Sequence, residues 1–343
     1  MPWSKWGLST CVLMILSGCQ PWYQGVDSKT LSEQKVQAMA QRIDQLYPNL
    51  DGDEKQQILG VALRAMDNML RVKGGSFEMG DFGMKCRVAD TNRLNWDPND
   101  HPCLTSPSSQ PHGAMYVHPV TLTTYYLSKY KTTFRDFEIL RKAHDKPLAL
   151  GKGYHVKRNT YDYKGFMSRH GKNAAYTKTW QSTKDYWHWL GHITDEPFDL
   201  PTEAQWEYAA RSRGKHYYFA TNNNYLQYAN DHYRNPKTGR WVTFDESSAN
   251  TSSNPSNVDR YPPNPFGFYD MQSVVAEWVN DWYAKDYYKV SPVKNPTGPS
   301  HGQYKVTRGG GNMPTFGRSP EKLTLPFYSE LNSFRCAIQS SQL

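Results

Sequence analysis

Cysteine is scarce in this 343-residue chain: there are five, at positions 11, 19, 86, 103 and 336, and none between residues 304 and 335. No CxxC, HExxH or phosphate-loop pattern occurs, so the common sequence signatures of thiol redox, zinc hydrolysis and nucleotide binding are missing. No apolar run reaches the roughly 20 residues that a membrane-spanning helix needs. What the chain has instead is 24 Tyr, 11 Trp, 24 Gly and 22 Pro. Large aromatic side chains bury much area with few rotatable bonds, and Gly and Pro punctuate turns. The mixture predicts one large core crossed by many irregular connections, with little regular secondary structure.

The longest apolar stretch lies near the N-terminus, from Cys11 to Leu16, behind Lys5 and ahead of Ser17, Gly18 and Cys19. That order predicts a signal peptide over 1–18 ending in a lipobox. As in bacterial lipoproteins, Cys19 would be acylated, and Gln20 after it points to the outer membrane. Loss of Lys5 lowers the formal charge from +8 to +7. Cys86 and Cys103 lie in a Gly-, Asp-, Asn- and Pro-rich stretch. An oxidising periplasm would allow a disulfide between them, worth about 3 kcal/mol in the chain-entropy account, with two free thiols as the alternative.

A tether is expected over 19–29 and a helical hairpin over 30–71, with helices near 30–47 and 53–71. Leu31, Val36, Met39, Ile43 and Leu46 line one face of the first; Ile58, Ala62, Met66 and Met69 line the second. From residue 72 to 343 the pattern turns to short strands and helices, an α+β domain. Val117, Val120, Leu122 and Tyr125 suit a half-buried strand, and Thr133 is placed to cap the helix after it. Thr183 is read as the cap of a helix that Gly191 closes. Thr202 and Gln205 form a capping box for a helix stopped by Gly214.

One segment carries the charge. Residues 141–178 hold ten Lys or Arg, among them Lys152, Lys157, Arg158, Lys164, Arg169 and Lys172, against Asp145 and Asp162. The rest of the chain is near neutral, so this basic insertion reads either as a solvated loop or as a docking surface for an acidic partner or anionic lipid. Nucleic acid fits the charge but not an exported protein.

Seven blocks then occur in order: GGSFEMGD, HPVTLTTYYLSKYKTT, Trp180, DLPTEAQWEYAAR, NPFGFYDMQSVVAEWVNDWY, VTRGGGN and SFRCA. Together they resemble the formylglycine-generating enzyme (sulfatase-modifying factor) family across residues 72–339. The resemblance implies a single compact domain of mixed α and β, with a C-type-lectin-like fold. The family's enzyme oxidises a cysteine in a sulfatase peptide with oxygen and a copper-binding cysteine pair. Laying the family's motif on Arg308 to Gly311 puts Pro314 and Ser319 at the two thiol positions. Copper(I) needs soft thiolates, which proline and a serine hydroxyl do not supply, so no copper is expected. A second branch, the sulfoxide synthases, holds iron with histidines in an added helical domain; residues 30–71 contain no histidine. His188 and His192 stand one helical turn apart with Asp185 nearby, a spacing that suits either a metal or aromatic packing.

The resemblance also implies a structural calcium on Asp270 and Glu277 side chains and the Ser273 and Val275 carbonyls, hard oxygen ligands suited to that ion. Asn230 and Asn250 are candidates for a second site. Two charges depart from the family: Asp199 is reversed, and Lys131 stands where an acidic residue is common. Some family members are similar to immunity lipoproteins that protect against secreted toxins, including type VI phospholipase effectors. The expected function is therefore a non-catalytic, periplasm-facing lipoprotein that binds and neutralises a toxin. A metal-dependent oxidoreductase and a structural envelope lipoprotein remain open as alternatives.

Overall fold

Ser32 and Asp51 start the two N-terminal helices by accepting from backbone amides three residues on, Lys35 N and Glu54 N. The computed structural model describes residues 21–85, 102–103, 113–146, 171–224, 226–228, 232–234, 240–243, 247, 249–252, 255–311, 313–325 and 332–339. Helix α1 spans Glu33–Leu46 and α2 Gly52–Asp67. Val36, Met39, Ala40 and Ile43 of α1 pack with Ile58, Leu59, Ala62 and Met66 of α2 in one apolar cluster.

The second helix does not reach residue 71 as expected. Asp67 is held by Ser28 Oγ and by the backbone amides of Lys29 and Thr30, and the Asn68 carbonyl accepts from Lys129 N. Past that anchor, Met69–Val72 becomes strand β1, whose backbone groups are taken by β6 (Tyr125–Ser128) in register Leu70↔Leu127. The segment read as the end of a hairpin is thus the edge of a sheet.

Two four-stranded sheets organise the rest. The first runs β1-β6-β14-β7, with β7 at Phe198–Asp199 and β14 at Ala337–Ile338. The second runs β12-β11-β10-β13, from Arg318–Lys322, Tyr304–Arg308, Ala276–Trp282 and Asn332–Ser333. Pairs join β2 (Gly75–Met79) to β5 (His118–Leu122), β3 (Met84–Lys85) to β4 (Pro102–Cys103), and β8 (His232–Arg234) to β9 (Trp241–Thr243). Val120, Leu122 and Tyr125 are buried as their alternation requires, while Val117 is exposed just ahead of β5.

Thr133 caps α3 (Phe134–Ala143) as expected. Helix α4 starts earlier than expected: it spans Trp180–Thr194 with Thr179 as its cap, and Thr183 is buried inside it, donating to the Trp180 carbonyl. Gly191 does not close it. A Cβ there would lie 3.1 Å from the Glu196 carbonyl, so the glycine serves a close approach, and the helix ends at Asp195 in the left-handed region. Helix α5 (Glu203–Ala210) shows the complete capping box of Thr202 and Gln205 and ends ahead of Gly214. The hairpin shares one apolar core with α3, α4, Phe334 and Ile338, while β2, β5, α5, Phe268 and Val279 build a second.

Candidate functional site

Pro314 and Ser319 occupy the turn after β11 and the second position of β12, where Ser319 pairs with Thr307. The Ser319 hydroxyl lies 3.7 Å from the Met313 thioether. Among the described residues it has no histidine or carboxylate in hydrogen-bond contact, so nothing there withdraws its proton. Cys336 is a free thiol buried in the core, its sulfur 3.5 Å from that of Met69, and burial pushes its pKa up. A thiolate is the nucleophile and the soft ligand, so this environment suppresses both roles.

Beneath the two positions lies a buried framework of charge, of which helical spacing in the sequence discloses only the Glu203, Glu207 and Arg211 row. Arg308 donates to Glu203 and Glu207 at 2.7 Å each and also to the Thr315 carbonyl. Arg211 donates to Glu207 at 2.8 Å and to the Glu78 carbonyl at 2.7 Å. Arg318, next to Ser319 in sequence, lies 2.8 Å from Glu203 and stacks over Tyr288 and Tyr283. Glu203 N also donates to Asp281 at 2.7 Å. Burial first, and the Glu203 charge second, push Asp281 up to about 7. Fully buried charges of this kind persist only where paired.

The four groups expected to hold calcium are each in contact with another group of the chain itself. Lys131 Nζ contacts Asp270 Oδ2 at 3.0 Å and donates to Ser273 Oγ and the Val275 carbonyl at 2.7 Å each. The Ser273 carbonyl accepts from Gly311 N at 2.8 Å. Glu277 receives Arg335 at both oxygens, 2.6 and 2.8 Å. Burial, the largest influence, raises the Asp270 carboxyl despite Lys131 beside it. As they stand these residues do not fit a dication: one ammonium and one guanidinium already balance the two carboxylates.

Asn250 is buried, and its amide donates to Asn222, Asn223 and Gln227 at 2.9 to 3.1 Å. Asp185, His188 and His192 are all exposed on α4. Among the described residues no three His, Cys, Asp or Glu side chains converge as a metal-ligating group. Lys172 is exposed; Lys152, Lys157, Arg158, Lys164, Arg169, Asn230, Cys19 and Cys86 lie outside the described residues. The Cys103 backbone pairs with Met84. No described helix is long and apolar enough to cross a membrane.

Two features went unread in the sequence. GPSHG at 298–302 spells a G-x-S-x-G string, but Ser300 is exposed in a loop before β11 and contacts the neighbouring His301 ring at 3.1 Å. A nucleophile elbow needs a strand-to-helix turn, which this loop is not. A cavity of about 480 Å³ opens between α2, α3 and the 128–133 turn, lined by Arg64, Arg135 and Lys172 among others. It arises where the hairpin packs on the domain, a contact no local pattern encodes.

The sulfatase-modifying factor enzyme 1-like domain matches residues 55–340. A serine/threonine-protein kinase pkn1 of Chlamydia pneumoniae is 33% identical over 143 residues, 41% of this chain and 19% of that protein. The formylglycine-generating enzyme of Mus musculus is 33% identical over 138 residues, 39% of this chain and 34% of that one. The chain thus spans about a fifth to a third of these curated relatives' length. The structure of PvdO from Pseudomonas aeruginosa superposes with a TM-score of 0.51 at 20% identity, covering 79% of this chain and 93% of that one, and so shares the fold. On the match of residues 55–340, this chain belongs to the sulfatase-modifying factor (formylglycine-generating enzyme-like) family.

Proposed function

We propose that the protein is a non-catalytic member of its family, held by a lipid on Cys19 at the periplasmic face of the outer membrane, where it binds and neutralises a secreted toxin. A type VI phospholipase effector is the toxin class that such anchoring suits, because the protector then stands where the toxin meets lipid. The observation that carries the reading is the replacement of the thiol pair by Pro314 and Ser319 above an intact framework of Arg308, Glu203 and Glu207. A scaffold kept at the energetic cost of several buried charges, without the groups that did its chemistry, fits recognition better than turnover.

A surface for that recognition is supported by Met115, Tyr116, Val117, Val290 and Val293, which are between 37% and 76% exposed. The 113–117 and 285–293 segments are adjacent, since a Cβ on Gly113 would meet the Lys285 carbonyl and Thr121 N donates to Val293 O. Exposed Lys285 and Lys294 border this apolar centre, while Lys289 beside them is paired with Asp286 at 2.9 Å. An apolar centre with a charged rim is the anatomy of a protein interface, and the basic rim would chiefly speed encounter with an acidic partner. The test is co-purification with the product of a neighbouring toxin gene, together with rescue of cells exporting that product. A one-to-one complex and rescue are expected; failure of both contradicts the proposal.

A further inference from the structure

We propose that the Lys131 ammonium is the resident cation of the cradle formed by Asp270, Ser273 and Val275, so that the chain supplies from within the charge that a bound dication would otherwise bring. This inference is independent of the proposed partner. The geometry is complete: an ammonium has three donors, and three oxygens surround this one at 2.7, 2.7 and 3.0 Å. The Lys131 side chain is 0% exposed, so its stem is part of the packing and not a surface arm folded inward by chance.

The charges close as well. Asp270 faces Lys131 and Glu277 faces Arg335, two carboxylates against two cations. A dication added to that set would leave two uncompensated positive charges away from water, and it would have to displace Lys131 from three bonds to reach its ligands. The Ser273 carbonyl is already used by Gly311 N, which ties the glycine turn after β11 to the cradle. The lysine therefore braces the same junction, between the β6–α3 turn and the entry to β10, that an ion would brace. It does so at any calcium concentration.

The test is calcium titration and thermal unfolding of the purified protein, with the Lys131→Met variant alongside. For the wild type we expect no saturable calcium binding at millimolar ion, and a melting temperature that agrees within about 1 °C between chelator and calcium. Lys131→Met leaves Asp270 buried without a partner and should melt several degrees lower in chelator. Adding Asp270→Asn to it should recover part of that loss, because the unpaired charge is gone. One saturable calcium per wild-type chain with a raised melting temperature would overturn the proposal. So would a Lys131→Met variant as stable as the wild type in chelator. If Lys131→Met does not fold, the wild-type titration decides alone.

Discussion

Arg335 shows what a single residue does in this molecule. Its guanidinium takes both oxygens of Glu277 and donates as well to the Ser128, Lys129 and Tyr269 carbonyls, so one side chain joins β6, β10 and the C-terminal block. Glu277→Ala strands that guanidinium in the core. The expected cost is about 3–5 kcal/mol, read as a drop in the urea midpoint with an unchanged slope. Asp281 carries a pH signature. Its folded pKa is raised to about 7, so between its unfolded value near 4 and 7 the folded state binds more protons than the unfolded state. Its contribution is fully present below that window and is lost as pH rises through it. Asp281→Asn should flatten the fall in stability from about pH 4 to 7, measured by urea unfolding across pH; an unchanged slope would show that Asp281 does not titrate there. The sequence disclosed the odd charge at Lys131 but not what it faces. That depends on Ser273 and Val275 arriving from more than 140 residues away.

At the scale of elements, two of the three caps read from a few neighbouring residues hold; the third, Thr183, lies inside α4 because Thr179 takes the cap. The capping box at Thr202 and the cap at Thr133 are both in place, since each needs only four successive residues to form. Thr202→Ala should cost about 1 kcal/mol by thermal or urea unfolding, because an orphan amide of α5 then loses its acceptor. What failed were boundaries decided by which groups the backbone meets after folding. Strand β1 reads as helix by its apolar spacing, yet β6 claims its backbone, and Gly191 reads as a stop while sparing the Glu196 carbonyl. The hairpin's apolar face was legible, and its burial depends on α3 and α4. Ile43, fully buried in that shared cluster, should cost about 2–5 kcal/mol when cut to alanine.

For the whole molecule, that shared cluster predicts unfolding as a unit. Amides of α1 and of β10 should exchange through the same global opening; a separate early opening of α1 would mean the hairpin is an appendage. Family and fold class were legible because seven sequence blocks sit at the sheet, the framework and the glycine turn that hold the body together. The surface that would meet a partner was not, because the 113–117 and 285–293 segments come together only on folding. The central claim, a family scaffold without the family's chemistry, is tested most directly by incubating the purified protein with copper, oxygen and a sulfatase-derived cysteine peptide, then weighing the peptide. The account predicts that the cysteine stays unmodified. Conversion to formylglycine by the wild type would contradict it.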